Sequence, residues 1–507
     1  MDSKTTKIIV IVIAVIAIVA VAAFFMTRGN SGGGGGGDEP AAGSYHYDYM
    51  SQYTDEFDYW KQTRLAVLGN ANNDTTIDSS DVSYIKNIVS KYGEISYKEN
   101  NKNYATYYLC DANSNGVINN EDAKYVESMI NGTAKTVYYE KLLDGIGEYK
   151  PAKKTYLVPI HRCYGRAAVL IANASDNIKI VGGDTQHLED EFKSLIDFTT
   201  FVEVGTTSTV STEKISSLAA KYSDGNVVVM TGGSANYCTD YEDKGTHAQY
   251  LRFISWEGDA LTGLLTAAYL IDGVGNSDGK DGTAWGKAKE YEDWYMDYID
   301  LIKAEGAKVK EADKLTILMP YLAPQVNGVD IPGGDQGSLT LRGNNTAEQL
   351  FIENAGGINL YYEIGEPNSY GRVTYTMELL SNLAKKNILD TVLFMPTFFV
   401  KDGTNPGAQA WDADKIEGCE DGIALAFSRY ISSDVDLYIK TWRLNGIPMI
   451  MDQIAIAKVL LPNNSVIQGL DVEKIWNEYL DLIGASKTSN LRFSNVFIMD
   501  EEPFHTV

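Results

Sequence analysis

One unit occurs twice in this chain. The stretch "TEKISSLAAKYSDGNVVVMT" (Thr212 to Thr231) returns as "MELLSNLAKKNILDTVLFMPT" (Met377 to Thr397), at an offset of 165 when Glu213 is set over Glu378. Ser216 then meets Ser381, Leu218 meets Leu383, Ala219 meets Ala384, Val227 meets Val392 and Met230 meets Met395. Each copy reads as an acidic residue, an amphipathic helix, a polar turn and a buried strand, because apolar residues first recur at helical spacing and then run continuously. Two such units this far apart predict two similar lobes.

The chain has 507 residues and 44% apolar content, enough for two or three domains with real cores. A formal net charge of −25 argues against a nucleic-acid partner, since a phosphate-binding face needs clustered Lys and Arg. The four cysteines, Cys110, Cys163, Cys238 and Cys419, form no CxxC pair, which leaves out zinc and redox motifs. Two readings of them stand: a Cys163–Cys238 disulfide outside the cell, or four buried free thiols.

The first residues set the compartment. Ile8 to Met26 is uncharged and apolar over 19 residues, close to the roughly 20 that a helix needs to cross a bilayer. Lys4 and Lys7 precede it and favour an inside N-terminus. The run exceeds the apolar core of a cleaved signal peptide. The expectation is a single-pass signal-anchor over residues 1–28, with cleavage as the alternative and the bulk of the chain outside the membrane. The stretch "GNSGGGGGGDEPAAG" (29–43) is a flexible tether.

A small module follows, over residues 44–150. Two segments of 12 residues, "NANNDTTIDSSD" and "DANSNGVINNED", place oxygen side chains at positions 1, 3, 5, 9 and 12. These are Asn70, Asn72, Asp74, Asp78 and Asp81, then Asp111, Asn113, Asn115, Asn119 and Asp122. The backbone carbonyls of Thr76 and Val117 fall at position 7. A hard cation takes oxygens at this spacing, so up to two calcium ions are expected. Ile77 and Ile118, at position 8, could pair across the loops. An apolar-periodic helix follows each loop. This arrangement resembles type I dockerin modules, from Leu65 to Gly132. It departs from them in Asn70 at position 1, in Thr75 where glycine is usual at position 6, and in loops 41 residues apart. The resemblance implies a cohesin-like partner; a calcium-stapled spacer that unfolds independently of the lobes is the plainer reading.

From Thr155 the pattern is α/β, with strands and helices alternating as in a doubly wound parallel sheet. Lobe one spans residues 151–283, one long helix 284–305, and lobe two 306–507. In lobe two "IPMIMD" reads as a strand, and Lys401 to Lys440 reads as an insertion. The stretches "TEKISSLAAKYSDGNVVVMTGG", "ISWEGDALTGLLTAAYLI", "IENAGGINLYYEIGEP" and "NGIPMIMDQIAIAKVLLPNN" together resemble the class III, helical-hinge substrate-binding proteins of ABC importers. That family captures ferric siderophores, haem and cobalamin. The resemblance covers about two-thirds of the chain, and implies that Glu213 and Glu378 dock onto arginines of a permease dimer.

Ligands of such folds sit at the carboxyl ends of strands. Candidate contacts are His161, Arg162, Tyr164, Asp184, His187, Asn236 and Tyr237 in lobe one, and Tyr321, Trp411, Trp442 and Arg443 in lobe two. Aromatic walls and arginine suit a flat or anionic chelate. No G-x-S-x-G elbow, P-loop or HExxH occurs, and an enzyme is not expected. The function implied is a membrane-tethered capture protein for an iron chelate or corrinoid. A calcium-dependent adhesion or scaffolding protein is the alternative.

Overall fold

The computed structural model describes residues 63–99, 102–141, 145–205, 209–231, 247–252, 260–276, 283–322, 339–342, 346–365, 372–375, 377–394, 434–440 and 447–485. The apolar run Ile8–Met26, the glycine tether and Asn236, Tyr237, Trp411, Trp442 and Arg443 lie outside them. Among the described residues no helix is long and apolar enough to cross a membrane.

The module is built on two helices, Ser79–Tyr92 and Asn120–Ile130. Val82, Ile85 and Ile88 on the first and Ala123, Val126 and Met129 on the second are buried in one core. Helical spacing puts each set on one face. Strands β1 (Ile95–Ser96) and β2 (Val117–Ile118) pair antiparallel, Ile95 opposite Ile118. The expected pairing of Ile77 with Ile118 is therefore not made: the segment between the loops takes that place, and Ile77 contributes a buried side chain instead. A hairpin of β3 (Val137–Glu140) and β4 (Ile146–Tyr149) closes the module. Gly147 is required there, since a Cβ would lie 2.5 Å from the Tyr139 ring.

Lobe one carries β5 (Thr155–Pro159), β6 (Ile178–Ile180), a short parallel pair of β7 (Gly182–Gly183) and β8 (Val202–Glu203), β9 (Asn226–Thr231) and β10 (Gln249–Arg252). The main sheet is parallel with order β10-β9-β5-β6. Its strands look continuously apolar because both faces are covered. Tyr156, Val158, Val227 and Val229 pack with Ile215 and Leu218 of the helix Thr212–Lys221. Leu157, Val228 and Met230 turn the other way, into the central core.

The bridging helix runs Ala284–Gly306, 23 residues, or about 34 Å at ~1.5 Å per residue. Thr283 caps it by accepting the Gly286 N–H (3.0 Å), and Asp272 accepts the Ala284 N–H (2.7 Å). Trp285, Ala288, Tyr291, Tyr295, Ile299 and Ile302 form its buried stripe. The helix packs against Arg162–Asn173 of lobe one and against Ala347–Asn354 and Ile450–Leu460 of lobe two.

Lobe two carries β11 (Thr316–Leu318), β12 (Pro320–Leu322), β13 (Leu339–Arg342), β14 (Ile358–Asn359), β15 (Arg372–Tyr375), β16 (Thr391–Phe394) and β17 (Asp436–Ile439). Its main sheet is parallel with order β14-β11-β16-β17. Numbered within each lobe, both main sheets run second, first, third, fourth. The third strand of each, β9 or β16, follows the duplicated helix. Three strands, β12, β13 and β15, form a separate antiparallel sheet.

Two expectations for lobe two are corrected. "IPMIMD" is not a strand: Ile447–Met449 is a single tight turn and Ile450–Leu460 a helix. That helix is buried on nearly every side, so its apolar residues run without a gap and imitate a strand. The fourth strand is β17, which lies inside the stretch read as an insertion.

The module also differs from an independent spacer. Ile85 and Val126 of the module, Leu264 of lobe one, Tyr291 of the bridging helix and Ile454 of lobe two belong to one continuous core. At its rim Arg64 pairs with Glu140 (2.6 Å), both side chains buried, and the Tyr108 hydroxyl donates to the same carboxylate. Removing one partner of a buried pair strands the other charge. Arg64→Leu should therefore cost about 3–5 kcal/mol in urea unfolding, whereas Lys154→Ala, at the half-exposed Lys154–Asp224 pair, should leave the urea midpoint almost unmoved.

Candidate functional site

Three sets of residues are placed by this fold: the oxygen-rich loops, the duplicated glutamates and the carboxyl edges of the sheets. In each oxygen-rich loop the ninth and twelfth positions have a local task. Asp78 and Asp81 form a capping box on the first helix, and Asn119 and Asp122 form one on the second. Each twelfth-position carboxylate also closes its loop. Asp81 accepts the Asn72 N–H (3.2 Å) and the Asp78 N–H (2.9 Å), and Asp122 accepts those of Asn113 (3.3 Å) and Asn119 (2.8 Å). Position 4 is left-handed in both, at Asn73 (φ 62°) and Ser114 (φ 54°). The loops thus share a backbone course despite their different sequences.

They diverge at positions 1 and 6. In the second loop Gly116 takes φ 81°, and its N–H reaches the Asp111 carboxylate (2.8 Å), which also accepts the Tyr104 hydroxyl (2.6 Å). In the first, Asn70 is fully buried and its amide nitrogen donates to the carbonyls of Leu65 (2.8 Å) and Asp74 (2.7 Å). Among the described residues nothing donates to its Oδ1. Among the described residues no three His, Cys, Asp or Glu side chains gather in metal-holding distance. The loops present mostly amide and backbone oxygens, and the orphaned Asn70 Oδ1 fits the hard-cation donor set that calcium takes.

Burial raises the Asp81 carboxyl to about 6 and, helped by the nearby Asp111 charge, the Asp122 carboxyl to about 7, from an ordinary 3.8. Both hold protons more tightly folded than unfolded. Their contribution to stability is complete below the unfolded value and is lost as pH rises through the folded ones. In chelator-treated protein these groups should lower Tm as pH is raised from about 5 to about 8. Asp122→Asn should flatten that slope in a scanning-calorimetry series.

The duplicated helices place Glu213 and Glu378 alike. Glu213 is exposed in the first turn of Thr212–Lys221, and Glu378 is the second residue of Met377–Lys385. The helix Thr212–Lys221 packs on β9, the strand it precedes, and in a parallel α/β unit that puts its first turn towards the carboxyl edge of the sheet.

At that edge in lobe one, His161 follows β5 and is half-buried. Its ring meets Tyr164 edge-on (6.3 Å between centroids), and its carbonyl accepts the N–H groups of Tyr164 (3.0 Å) and Gly165 (2.9 Å). Asp184 follows β7, its N–H bonded to the carbonyl of Pro159 at the end of β5 (3.2 Å). The fold thus gathers His161, Tyr164 and Asp184, but Tyr164 and Asp184 are wholly buried. Arg162 and His187 lie in the first turns of their helices, and Tyr321 lies in β12.

Sequence reading missed a buried pair at the matching edge of lobe two. Lys440, next after β17, bonds Asp452 (2.5 Å), both essentially without exposure, and both amide atoms of the neighbouring Gln453 are buried with no hydrogen-bond partner among the described residues. The available signal was a single Lys ending "DLYIK" and a single Asp inside "IMDQIAIA". Cys110 is buried and free.

No protein-family model matches the chain, and no curated protein matches it. Among solved structures it is similar to the TroA-like periplasmic binding protein FepB from Veillonella parvula, at 16% identity and a TM-score of 0.45, covering 70% of this chain and 95% of that one. It is similar to an ABC transporter solute-binding protein from Sulfurospirillum deleyianum at 11% identity and a TM-score of 0.42, over 71% and 98% of the two chains. It is also similar to the siderophore-binding protein FhuD from Vibrio cholerae, solved with Fe3+-Desferal, at 16% identity and a TM-score of 0.37, over 61% and 98%. Likeness this distant leaves the functional reading to the chain's own residues and geometry.

Proposed function

We propose that this chain is the extracytoplasmic capture component of an ABC importer, binding an iron chelate (siderophore or haem) or a corrinoid between its lobes and delivering it to a permease dimer. One observation carries the reading: two all-parallel sheets of the same strand order, joined by a single long helix. Ligands of open parallel sheets bind beyond the carboxyl ends of the strands. Two such edges on one stiff connector suit a ligand held between them, with modest closure.

In this reading the loop residues His161, Arg162 and His187 contribute from lobe one, joined by Asn236 and Tyr237. Tyr321, Trp411, Trp442 and Arg443 contribute from lobe two. Glu213 and Glu378 meet permease arginines, because a carboxylate and a guanidinium form a directional two-point contact. Ile8–Met26 anchors the protein and residues 29–43 give it reach. Calcium binds the module through Asn70, Asn72, Asp74, Thr76, Asp78 and Asp81, and through Asp111, Asn113, Asn115, Val117, Asn119 and Asp122. A cohesin-like partner would dock on the exposed starts of the two module helices.

Tryptophan-fluorescence titration of the detergent-solubilised chain with ferric hydroxamate, ferric catecholate, haem, cobalamin and free ferric ion tests the capture role. One chelate should bind with Kd below about 1 μM, worth about 8 kcal/mol. Silence across the panel from folded protein would remove the reading. The paired charge reversal Glu213→Arg with Glu378→Arg should leave that Kd within about twofold and reduce cellular uptake at least about tenfold.

A further inference from the structure

The first oxygen-rich loop does not end at the module; it is bonded to the bridging helix and, through the segment Arg64–Ala66, linked to the buried helix beside it. Lys289, in the second turn of the bridging helix, donates to Thr75 Oγ1 (2.9 Å), and its ammonium is also paired with Glu292 on the same helix. Thr75 is the residue that stands where such a loop ordinarily has glycine. It is absent from the residues with left-handed backbone, unlike Gly116 in the second loop. A glycine at this position could offer no hydroxyl to Lys289.

A second connection leaves from position 1. The Asn70 amide holds the Leu65 carbonyl (2.8 Å). On either side of Leu65, the N–H of Arg64 reaches Thr262 Oγ1 (3.1 Å) and the N–H of Ala66 reaches Thr266 Oγ1 (3.0 Å). Alternate residues of an extended segment thus meet residues one helical turn apart. The Arg64 guanidinium also donates to Asn73 Oδ1 in the loop (3.1 Å). At the far end of the module Gly132 and Gly275 meet back to back. A Cβ on Gly275 would stand 2.6 Å from the Gly132 Cα, and the Gly275 N–H bonds the Met129 carbonyl (2.8 Å).

We propose that calcium in the first loop acts as a clamp on the hinge: by fixing Asn70 and Thr75 it stiffens the bridging helix through Lys289 and the lobe-one helix through Thr262 and Thr266, making the lobe-to-lobe geometry calcium-dependent. This rests on the calcium reading given above. The cation fixes the loop by gathering oxygens that otherwise repel or stand unpaired, Asn70 Oδ1 among them. The cost of ordering Thr75 is then met before Lys289 binds it, so the contact is made more fully. The second loop is assigned no part in the clamp.

Hydrogen–deuterium exchange of the full chain in detergent, with calcium or with chelator, tests the clamp, alongside terbium luminescence to report ion binding directly. Calcium should slow exchange about fivefold or more over Ala284–Tyr295 as well as over the loop itself. Lys289→Met should keep terbium binding and lose the slowing at the helix. Lys303→Met, exposed on the same helix, should keep both. Terbium binding with protection confined to the module would overturn the clamp and leave the calcium reading standing. Absence of terbium binding would overturn both.

Discussion

The helix Ala260–Ala268 has no face left for water: all nine of its residues are buried. A helix apolar on every side can persist in a water-soluble region only if protein encloses it. The rest of the arrangement follows from that requirement. The bridging helix covers part of it and the turn Ile447–Met449 of lobe two another. The extended segment Arg64–Ala66 of the module lies along it, held by the hydroxyls of Thr262 and Thr266. The module is accordingly part of the central core, which explains why its hydrophobic residues and those of both lobes form one cluster.

Around this centre the duplication is one of topology more than of detail. Both main sheets have the same parallel order, and the duplicated helix precedes the same strand in each. The lobes differ where they meet other elements. Lobe one supports its edge with the buried Tyr164 and Asp184, whereas lobe two ends its fourth strand in the buried Lys440–Asp452 pair. Burying a charge pair costs desolvation that only close, well-oriented contact offsets. Its position fixes the start of the helix Ile450–Leu460 against the strand end, at the side of lobe two nearest lobe one.

Much of this was legible in the sequence because the relevant signals are local. The duplicated unit and the bridging helix depend on spacing within one or two turns, and the structure has both. The misreadings share a different cause. "IPMIMD" looks like a strand because a fully enclosed helix loses its amphipathic period. The strand Asp436–Ile439 is only four residues long and lies within a stretch whose sequence reads as an insertion. Position after a strand does not by itself say how deeply a side chain is buried, as the fully enclosed Tyr164 and Asp184 show; packing sets that.

The sequence by itself determined the two lobes, the single connector and the two oxygen-rich loops, since repeat, period and ligand spacing are written along the chain. Only the tertiary structure decided that the module shares the central core, that Thr75 is a contact and not a flaw in the loop, and that Lys440 and Asp452 meet. Those facts join residues up to 214 positions apart, as Thr75 and Lys289 are. Contacts at that separation come from how enclosed surfaces fit together, and no local pattern of residues encodes which partner will close them.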